Sequence, residues 1–426
     1  MVASPGFLFY RCGSIFQRAP VRLDFSRCFP LRSTSLVTRF SGRKCFSALN
    51  LTRIRGRMGI ERIDVYSVSL KYSEPFRIAP GVSGESHSIV VRILTDYGVE
   101  GWGESSPSKR VTGETRETVS VAISRMAPKL VDMCPLRIEQ NMEMMDQTVD
   151  GNPAAKAALD MALHDVLGKT VGKPLFMLLG GYRTEVLTDI TLSMKPPREM
   201  VADAVKAVKQ GFKALKIKVG VNPVEDVERI RMVREAVGDD VEIRIDANGG
   251  WSPEQAVEVL NRVERFNIRF VEQPVPAEDI DGLARVRKDS QIPVMADESV
   301  HSPSDALRLI EKEAVDLINI KLMKSGGILK ARKISNVAEA AGIPCMVGCM
   351  GESGIGVAAG AHLAAGLRNI VYADLDCDLL HSEKLVKKGG TRVVNSMRLF
   401  SDENGLGIGG LNMEMLGIPQ AVYKKG

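Results

Sequence analysis

Five short apolar segments in the middle of the chain decide the fold, and charged residues lie at or near the end of each one. They are ALKIKVG at 214–220, VEIRIDANG at 241–249, IRFVEQPV at 268–275, IPVMADES at 292–299 and LINIKLMK at 317–324. Amphipathic segments separate them, and two of these begin at the helix-start pairs Ser252-Pro253 and Ser302-Pro303. Strands that alternate with helices in this way form parallel β/α units.

Three further segments bring the number of predicted barrel strands to eight. They are LTDITLSM at 187–194, PCMVGCM at 344–350 and NIVYADLD at 369–376. Eight parallel β/α units close into a barrel, so we predict a (β/α) barrel catalytic domain over residues 185–384. The stretch 340–367 is nearly all small or apolar, but it contains Pro344 and Glu352. We therefore predict a buried strand, loop and helix there rather than a membrane helix.

The regions on either side of the barrel lack this rhythm. Strands are predicted at 60–72 and 86–96, and helices at 115–149 and 153–170. These elements indicate a small α+β capping domain over residues 58–184. The glycine-rich residues 385–426 are predicted to pack back on that domain. The predicted fold class is therefore α/β, a (β/α) barrel with an N-terminal α+β capping domain.

Residues 1–57 differ from the rest of the chain in composition. They contain eleven Lys and Arg and one acid, a net charge of +10, which leaves −5 of the overall +5 for the other 369 residues. An Arg-rich, Ser-containing, acid-poor start is typical of an organelle transit peptide, and a disordered basic tail is the alternative. We expect the mature protein in a plastid or mitochondrion. Because the basic charge lies in this leader, we expect no nucleic-acid partner and no membrane partner.

The remaining composition is that of an ordinary globular enzyme. Apolar residues make up 44% and charged residues 26%, which excludes a collagen-like, disulfide-scaffold or mostly disordered chain. Four cysteines follow the leader, at positions 134, 345, 349 and 377, with no C-x-x-C spacing. Such cysteines are typical of reduced, buried thiols.

Three acidic residues lie at the C-terminal ends of adjacent predicted strands, where barrel enzymes carry their active sites. They are Asp246, Glu272 and Asp297, separated by 26 and 25 residues. Converging carboxylates repel one another unless a cation lies between them, and oxygen ligands favour a hard ion such as Mg²⁺. We predict that these residues bind one Mg²⁺ per subunit. The alternative is three surface carboxylates at loop starts.

Two lysines at the same height complete the predicted chemistry. Lys218 ends the second strand and Lys321 the sixth, so they face each other across an eight-stranded barrel. Two opposed bases suit the removal of a proton α to a carboxylate and its return to the other face, which is racemisation or epimerisation. Lys216 shares a strand face with Lys218, and we expect it and the metal to favour the neutral, basic form of that lysine. The alternative is a set of salt bridges to the acids, and Lys324 is predicted to be structural.

An ordered set of motifs resembles the muconate-lactonising subgroup of the enolase superfamily over residues 60 to about 420. In the barrel the motifs are K-I-K at 216–218, D-A-N at 246–248, V-E-Q-P at 271–274, A-D-E-S at 296–299 and N-I-K-x-x-K-x-G-G at 319–327. In the capping domain they are DYGVEGWGE at 96–104, KAALDMALHD at 156–165 and KPLFMLLGG at 173–181. Members of this superfamily use a Lys or His base with Mg²⁺.

The resemblance implies that the barrel is the modified TIM barrel of the enolase type. It also implies the roles argued above and adds to them. It implies that Lys216 contacts the substrate carboxylate. It also implies that Asp374 and Asp376, an Asp-x-Asp on the last strand typical of dipeptide epimerases, bind the substrate's free ammonium group. Because Asp378 continues the alternation, a solvated strand end is the alternative. Four further residues are implied to line the site near the substrate's backbone: Thr191, Cys349, Met350 and Gly351.

The reaction that follows is a Mg²⁺-dependent epimerisation of the C-terminal residue of an L-Ala-L-X dipeptide through an enediolate. Gly81 stands where Ala-Glu epimerases carry a basic residue, so we expect X to be small or apolar rather than strictly Glu. The alternatives within the superfamily are an N-acylamino acid racemase, an o-succinylbenzoate synthase and a muconate cycloisomerase. A Schiff-base aldolase and a non-catalytic protein are alternatives from other classes. We expect a homo-oligomer.

Overall fold

The computed structural model of the chain describes residues 58–79 and 81–426. The predicted transit peptide at residues 1–57 lies outside the described residues. No helix in the described part of the chain is long and apolar enough to cross a membrane.

The N-terminal part is an antiparallel sheet packed against helices. Its elements are β1 (Ile60–Ile78), β2 (Gly81–Thr95), β3 (Glu100–Ser105), α1 (Arg116–Leu130), α2 (Ile138–Thr148), α3 (Pro153–Val171) and α4 (Leu175–Leu179). β3 lies against α3 so closely that a Cβ atom on Gly103 would be 1.9 Å from the carbonyl oxygen of Ala158. The glycines of the G-W-G motif are therefore required by packing between a strand and a helix.

Eight parallel strands form a nearly closed barrel, which confirms the predicted fold class. A short strand β4 (Glu185–Leu187) leads into them. The barrel strands are β5 (Ile190–Leu192), β6 (Ala214–Lys218), β7 (Glu242–Asp246), β8 (Ile268–Glu272), β9 (Val294–Ala296), β10 (Leu317–Lys321), β11 (Cys345–Gly348) and β12 (Ile370–Asp374). β5 and β12 are the ends of this sheet. Two hydrogen bonds span the gap, from Thr191 N to Asp376 Oδ2 (2.6 Å) and from Leu375 N to Thr188 Oγ1 (2.9 Å).

Helices follow the barrel strands, and the two that begin at Pro253 and Pro303 start where the sequence predicted. The helices are α5 (Pro197–Lys209), α6 (Pro223–Val237), α7 (Pro253–Val263), α8 (Ile280–Asp289), α9 (Pro303–Glu311), α10 (Leu322–Ser325), α11 (Ile328–Ala340), α12 (Gly354–Gly366) and α13 (Cys377–Leu380), with a 3₁₀ turn at Glu264–Phe266. Ser252 and Ser302 cap α7 and α9 by accepting hydrogen bonds from backbone N–H groups. The apolar stretch 340–367 is the predicted strand, loop and helix, β11 followed by the fully buried α12.

The predicted first barrel segment is wrong in one respect. LTDITLSM is not one strand, because the chain leaves β4 at Leu187 and enters the barrel only at Ile190. The break places Asp189 inside the barrel, where its carboxylate pairs with Arg244 Nη1 at 2.7 Å. A buried charge pair thus interrupts a segment whose apolar pattern alone suggests continuity.

The C-terminal residues return to the N-terminal sheet. Their elements are β13 (Val386–Gly389), β14 (Thr391–Val394), β15 (Met397–Phe400), β16 (Ile408–Leu411), α14 (Met413–Leu416) and β17 (Ala421–Lys424). β17 pairs antiparallel with β1, so that the sheet order is β17-β1-β2-β3. β15 pairs with β4 beside β14.

A buried layer of side chains supports the strand ends from below. Phe270, Met295, Leu317 and Met346 form one fully or nearly fully buried apolar cluster inside the barrel. Because side chains alternate along a strand, residues two positions before a strand's last charged residue lie one layer deeper on the same side. Glu272 and Asp297 therefore lie above the apolar side chains of Phe270 and Met295, whereas Asp246 lies above the buried Arg244.

Candidate active site

A cavity of about 440 Å³ lies over the C-terminal ends of the barrel strands and is roofed by the N-terminal domain. Nine of the predicted site residues line it: Thr191, Lys216, Lys218, Lys321, Cys349, Met350, Gly351, Asp374 and Asp376. The roof is formed by residues of β1 and β2, including Tyr72, Phe76, Ile78 and Val82. The structure thus brings together the predicted catalytic and substrate-binding residues, which come from five different strands and their following loops.

The three predicted metal ligands lie beneath the cavity floor and are almost completely buried. Asp246, Glu272 and Asp297 are exposed to 0%, 0% and 1%. Asn319 Nδ2 donates to Glu272 Oε1 at 2.8 Å, whereas the buried Oε2 atom has no hydrogen-bond partner. Burial and the Asp246 charge raise the pKa of Glu272 to about 8. Three carboxylates from adjacent strands with an orphaned buried oxygen fit a hard divalent cation, although their oxygen atoms do not all lie within 4.8 Å of one another in this structure.

Each of the two predicted catalytic lysines contacts one of these acids. Lys218 Nζ donates to Asp246 Oδ2 at 2.5 Å and to Asn248 Oδ1 at 3.2 Å. Lys321 Nζ donates to Asp297 Oδ2 at 2.7 Å. The two lysines extend from β6 and β10, the second and sixth barrel strands, and both reach the cavity. They therefore present ammonium or amine groups from opposite walls.

Lys324 lies below the cavity, in contact with a predicted metal ligand. Its Nζ atom donates to Asp297 Oδ1 at 2.5 Å and to the Asn319 carbonyl at 3.2 Å, and its side chain is buried. Although burial opposes the effect, the ammonium groups of Lys321 and Lys324 hold the pKa of Asp297 well below its ordinary value. Lys324 thus keeps one predicted metal ligand ionised from below the cavity.

Lys216 lies between the predicted metal ligands and the aspartates that follow β12. Its Nζ atom bonds to Asp374 Oδ2, and it lies 3.6 Å from Glu272 Oε2 and 3.7 Å from Asp246 Oδ2. Burial alone would lower the pKa of Lys216, but the facing carboxylates raise it well above its ordinary value. This side chain is therefore a fixed positive charge on the cavity floor, where a substrate carboxylate would meet it.

The two aspartates at the end of β12 are buried acids rather than a solvated strand end. Asp374 and Asp376 are 1% and 2% exposed, and both face the cavity. Thr191 N donates to Asp376 Oδ2 at 2.6 Å. Burial and the Asp374 charge raise the pKa of Asp376. Asp378, by contrast, pairs with Arg398 at 2.7 Å away from the cavity.

Several residues at the site were not assigned a role from the sequence. Asn248 and Glu298 line the cavity and are joined by a hydrogen bond of 3.1 Å. Burial and the Asp297 charge raise the pKa of Glu298 to about 7. Asn248 ends the D-A-N motif and Glu298 lies in the A-D-E-S motif. Their positions directly after predicted strands could have indicated that they belong to the site.

The contacts from the N-terminal domain had no local signal in the sequence. Ser86 Oγ donates to the Gly351 carbonyl oxygen at 2.8 Å, across 265 residues of chain. The same hydroxyl lies 3.2 Å from His381 Nε2. These bonds hold β2 over the loop after β11 and close one side of the cavity.

Comparison with known proteins places the two parts of the chain in one family. Residues 62–180 match the mandelate racemase/muconate lactonizing enzyme N-terminal domain, and residues 199–410 match the enolase C-terminal domain-like family. The L-Ala-D/L-Glu epimerase of Clostridium acetobutylicum is 45% identical over 358 residues, which is 83% of this chain and all of that protein. The N-succinyl-L-Arg/Lys racemase of Bacillus cereus is 40% identical over 75% of this chain and 87% of its own length.

A solved structure shows the same arrangement of domains. The dipeptide epimerase of Enterococcus faecalis V583, complexed with Mg and the dipeptide L-Leu-L-Tyr, is 42% identical and superposes with a TM-score of 0.80. The match covers 82% of this chain and 99% of that one.

Proposed function

The chain belongs to the mandelate racemase/muconate lactonizing enzyme family of the enolase superfamily, and on that premise we propose that it is a Mg²⁺-dependent dipeptide epimerase. The observation that carries the proposal is the pair of lysines on opposite walls of one cavity, Lys218 and Lys321, above three buried acids. Two opposed bases serve a reaction that inverts a carbon atom by moving one proton. The relatives of this chain include both epimerases and a racemase.

The aspartates on β12 select a substrate with a free ammonium group. Asp374 and Asp376 present two carboxylates to the cavity from the side opposite the metal-site acids on β7 and β8. A dipeptide has a carboxylate at one end and an ammonium at the other, and its ammonium would replace Lys216 as the partner of Asp374. Its carboxylate would lie at Lys216 and its ammonium at the aspartates, which brings the α-carbon of the second residue between the two lysines.

The lysines then exchange roles with the direction of the reaction. The neutral amine of one lysine removes the α-proton from one face, and the ammonium of the other donates a proton to the opposite face. Each turnover leaves the first lysine protonated and the second neutral, so proton exchange with water must restore the starting state. The carbanion between these steps is the enediolate of the substrate carboxylate, and Lys216 offers it a fixed positive charge.

Asp246, Glu272 and Asp297 are the residues that would hold Mg²⁺. Their buried oxygens, one of them without a hydrogen-bond partner, fit a hard cation, and solved relatives bind Mg. A bound divalent cation would supply positive charge against the negative charge that develops on the substrate carboxylate.

The roof of the cavity supports a small or apolar second residue. Phe76, Ile78 and Val82 line it beside Gly81, which has no charged side chain, although Arg110 also lines the same cavity. The Enterococcus faecalis enzyme, whose complex contains L-Leu-L-Tyr, shows that a relative accommodates apolar dipeptides. We propose L-Ala-L-X substrates, with X small or apolar.

A racemase of N-acylated amino acids is the second candidate, because a relative at 40% identity has that activity. Its substrates have no free ammonium group, so Asp374 and Asp376 would face the cavity without a cationic partner from the substrate. Asp374 is already paired with Lys216, but Asp376 would remain a buried carboxylate without an ion-pair partner, and this cost favours the dipeptide.

Substitution of one aspartate separates the two candidates. D376N should lower kcat/KM for L-Ala-L-X dipeptides by about a hundredfold or more, because a buried charge pair is lost, and should not improve turnover of N-succinyl or N-acetyl amino acids above that of the unmodified enzyme. D402N, which removes an exposed charge that does not line the cavity, is the control and should leave dipeptide kcat/KM almost unchanged. Equal turnover of dipeptides by D376N and the unmodified chain would favour the N-acyl substrate.

A further inference from the structure

Two thiols and a carboxylate meet at one edge of the cavity. Cys349 Sγ lies 2.8 Å from Cys377 Sγ and 3.6 Å from Asp376 Oδ1. The three ligand atoms all lie within 4.8 Å of one another. This Cys₂Asp group shares no residue with the three predicted Mg²⁺ ligands, of which Asp246 pairs with Lys218 and Asp297 with Lys321.

The group is buried, yet it borders open space. Cys349, Cys377 and Asp376 are exposed to 7%, 6% and 2%, and all three line the 440 Å³ cavity. Water and small ions can therefore reach the group from one side only. A fourth ligand, from water or from a bound molecule, could enter from the cavity.

The carboxylate is already oriented for such a role. Asp376 Oδ2 accepts the 2.6 Å hydrogen bond from Thr191 N, which fixes the carboxylate plane. Oδ1 is left facing the Cys349 sulfur. A backbone donor that orients a ligating oxygen in this way is a common outer-shell feature of metal sites.

The thiols are held in their protonated form when no cation is bound. Burial and the neighbouring Cys377 raise the pKa of Cys349 well above its ordinary value. The hydrogen bond with Cys349 lowers the pKa of Cys377, but burial and nearby acids raise it to about 11. Deprotonation of both thiols therefore requires a compensating positive charge, which a divalent cation supplies and a monovalent one does not.

We propose that Cys349, Cys377 and Asp376 form a binding site for a thiophilic divalent cation of the Zn²⁺ type. Thiolate ligands select Zn²⁺ over Mg²⁺, whereas the three carboxylates across the cavity prefer the hard ion. Binding releases one proton from each thiol, so that two thiolates and a carboxylate surround the +2 charge. At Zn–S distances of about 2.3 Å in a tetrahedral site, the sulfurs would separate from 2.8 Å to about 3.7 Å.

The site also has a consequence for catalysis, and this part rests on the proposed function. Asp376 is the proposed partner of the substrate ammonium group, so a cation bound to it excludes the dipeptide. Zn²⁺ therefore acts as an inhibitor that competes with the dipeptide even when Mg²⁺ is saturating.

Metal binding is tested first without reference to activity. The reduced full chain, saturated with Mg²⁺, is titrated with Zn²⁺ by equilibrium dialysis and elemental analysis, and with Co²⁺ by absorption spectroscopy. We expect C377S to bind one equivalent of Zn²⁺ less than the unmodified chain and to lose a thiolate-to-cobalt charge-transfer band. C345S is the matched control, because Cys345 is buried in β11 and contacts Asn369 instead of the cavity. C345S should retain both the zinc equivalent and the thiolate-to-cobalt charge-transfer band.

The same zinc stoichiometry and cobalt band in C377S and the unmodified chain would overturn the site. So would a protein isolated under non-oxidising conditions with a mass lower by two hydrogen atoms and a disulfide between Cys349 and Cys377, because the ligands would then be consumed. D376N provides a second variant in case C377S does not fold. It should weaken Zn²⁺ binding by about tenfold or more, the size of effect that even outer-shell partners of metal ligands have.

Competition with the substrate is measured separately. We expect Zn²⁺ to raise the apparent KM for a dipeptide at constant kcat, and C345S to be inhibited like the unmodified chain. Zinc bound with the expected stoichiometry but without any effect on dipeptide KM would retain the metal site and contradict the ammonium role of Asp376. If the protein turned over dipeptides fully but bound no zinc, the metal site would be contradicted and the proposed epimerase function would stand.

Discussion

At the scale of single residues, the site is a buried network of opposite charges. Four lysines and four acids lie within it, and each lysine is within salt-bridge distance of at least one acid: Lys216, Lys218, Lys321 and Lys324 with Asp246, Glu272, Asp297 and Asp374. Desolvating so many charges costs more than hydrophobic residues of the same volume would. Their presence at one end of a well-packed barrel is therefore explained by chemistry rather than by stability.

The central prediction at this scale concerns the two opposed lysines. K218A and K321A should each lower dipeptide epimerisation by about 10²- to 10⁴-fold, the range that a positioned acid or base contributes. Because one base remains in each variant, each should still exchange the α-proton of one diastereomer with solvent, and the two variants should retain opposite diastereomers. Proton NMR in D₂O measures both quantities.

K213A is the control for this pair, because Lys213 is exposed immediately before β6. It should epimerise like the unmodified chain. If K218A and K321A retained exchange of the same diastereomer, the lysines would not act on opposite faces and the two-base account would be wrong.

The sequence was sufficient to locate the residues at the strand ends, because motif spacing and strand order place them at one height. It was not sufficient for contacts made across the fold. Lys216 bonds Asp374 across 158 residues, and Ser86 reaches Gly351 across 265. Such pairings depend on the reach and direction of side chains in three dimensions, which periodicity does not record.

At the scale of elements, the packing of β3 on α3 explains why glycines stand on both sides of Trp102 in the G-W-G motif. Gly101 and Gly103 both lie where a Cβ atom would overlap the α3 backbone, at 2.2 Å from Ala162 O and 1.9 Å from Ala158 O. Trp102 N between them donates to Asp165 Oδ2 at 2.9 Å. The strand is thus fixed to the helix by both contact and hydrogen bonding.

G103A should lower the free energy of unfolding by about 3 kcal/mol, because backbone atoms on both elements must move apart. Chemical denaturation measures this change. G84A is the matched control, since a Cβ atom on Gly84 in β2 would meet nothing within 4 Å, and it should be nearly neutral. Equal stability of G103A and G84A would show that β3 and α3 are farther apart than described.

The docking of α12 on α4 should depend on pH through one histidine. His362 Nδ1 accepts a hydrogen bond from Phe176 N at 3.1 Å, and burial lowers the pKa of His362 from 6.5 to about 4. Between pH 6.5 and pH 4, the unfolded chain binds a proton on this histidine that the folded chain does not bind. This contribution to stability is therefore fully present above pH 6.5 and is lost as the pH falls toward 4.

From pH 7 to pH 5 the loss should be about 2 kcal/mol of unfolding free energy. Urea titrations at the two pH values should show that H362N removes this portion of the pH dependence. H87N should leave it in place, because His87 is exposed on β2. A pH dependence unchanged in H362N would contradict a neutral buried ring.

Periodicity and caps predicted most of the elements, including the starts of α7 and α9. The apolar periodicity wrongly predicted a single strand over LTDITLSM, because the chain breaks at Asp189, whose carboxylate pairs with Arg244. It also joined α1 and α2 into one helix over 115–149, although Val131 ends the first of them with extended backbone angles. Both errors arise where tertiary contacts or local backbone geometry override a continuous apolar pattern.

At the scale of the whole molecule, charge is divided between two parts of the sequence. Residues 1–57 carry +10 and the remaining residues −5. An acidic catalytic body needs no basic leader for its own chemistry, so we propose that the leader directs import into a plastid or mitochondrion.

A reporter tests this proposal. Residues 1–57 fused to a fluorescent protein should move it into an organelle, and a variant with five of the eleven basic residues replaced by Ser or Gln should remain in the cytosol. Cytosolic fluorescence from the unmodified fusion would favour a basic tail without a targeting role.

The most direct test of the central claim is proton NMR of L-Ala-L-X dipeptides incubated with the Mg²⁺-saturated protein in D₂O. We expect loss of the α-proton signal of the C-terminal residue together with growth of the L,D diastereomer, and fastest turnover when X is small or apolar. An absence of exchange for every dipeptide, with N-acylated amino acids racemised instead, would contradict the account.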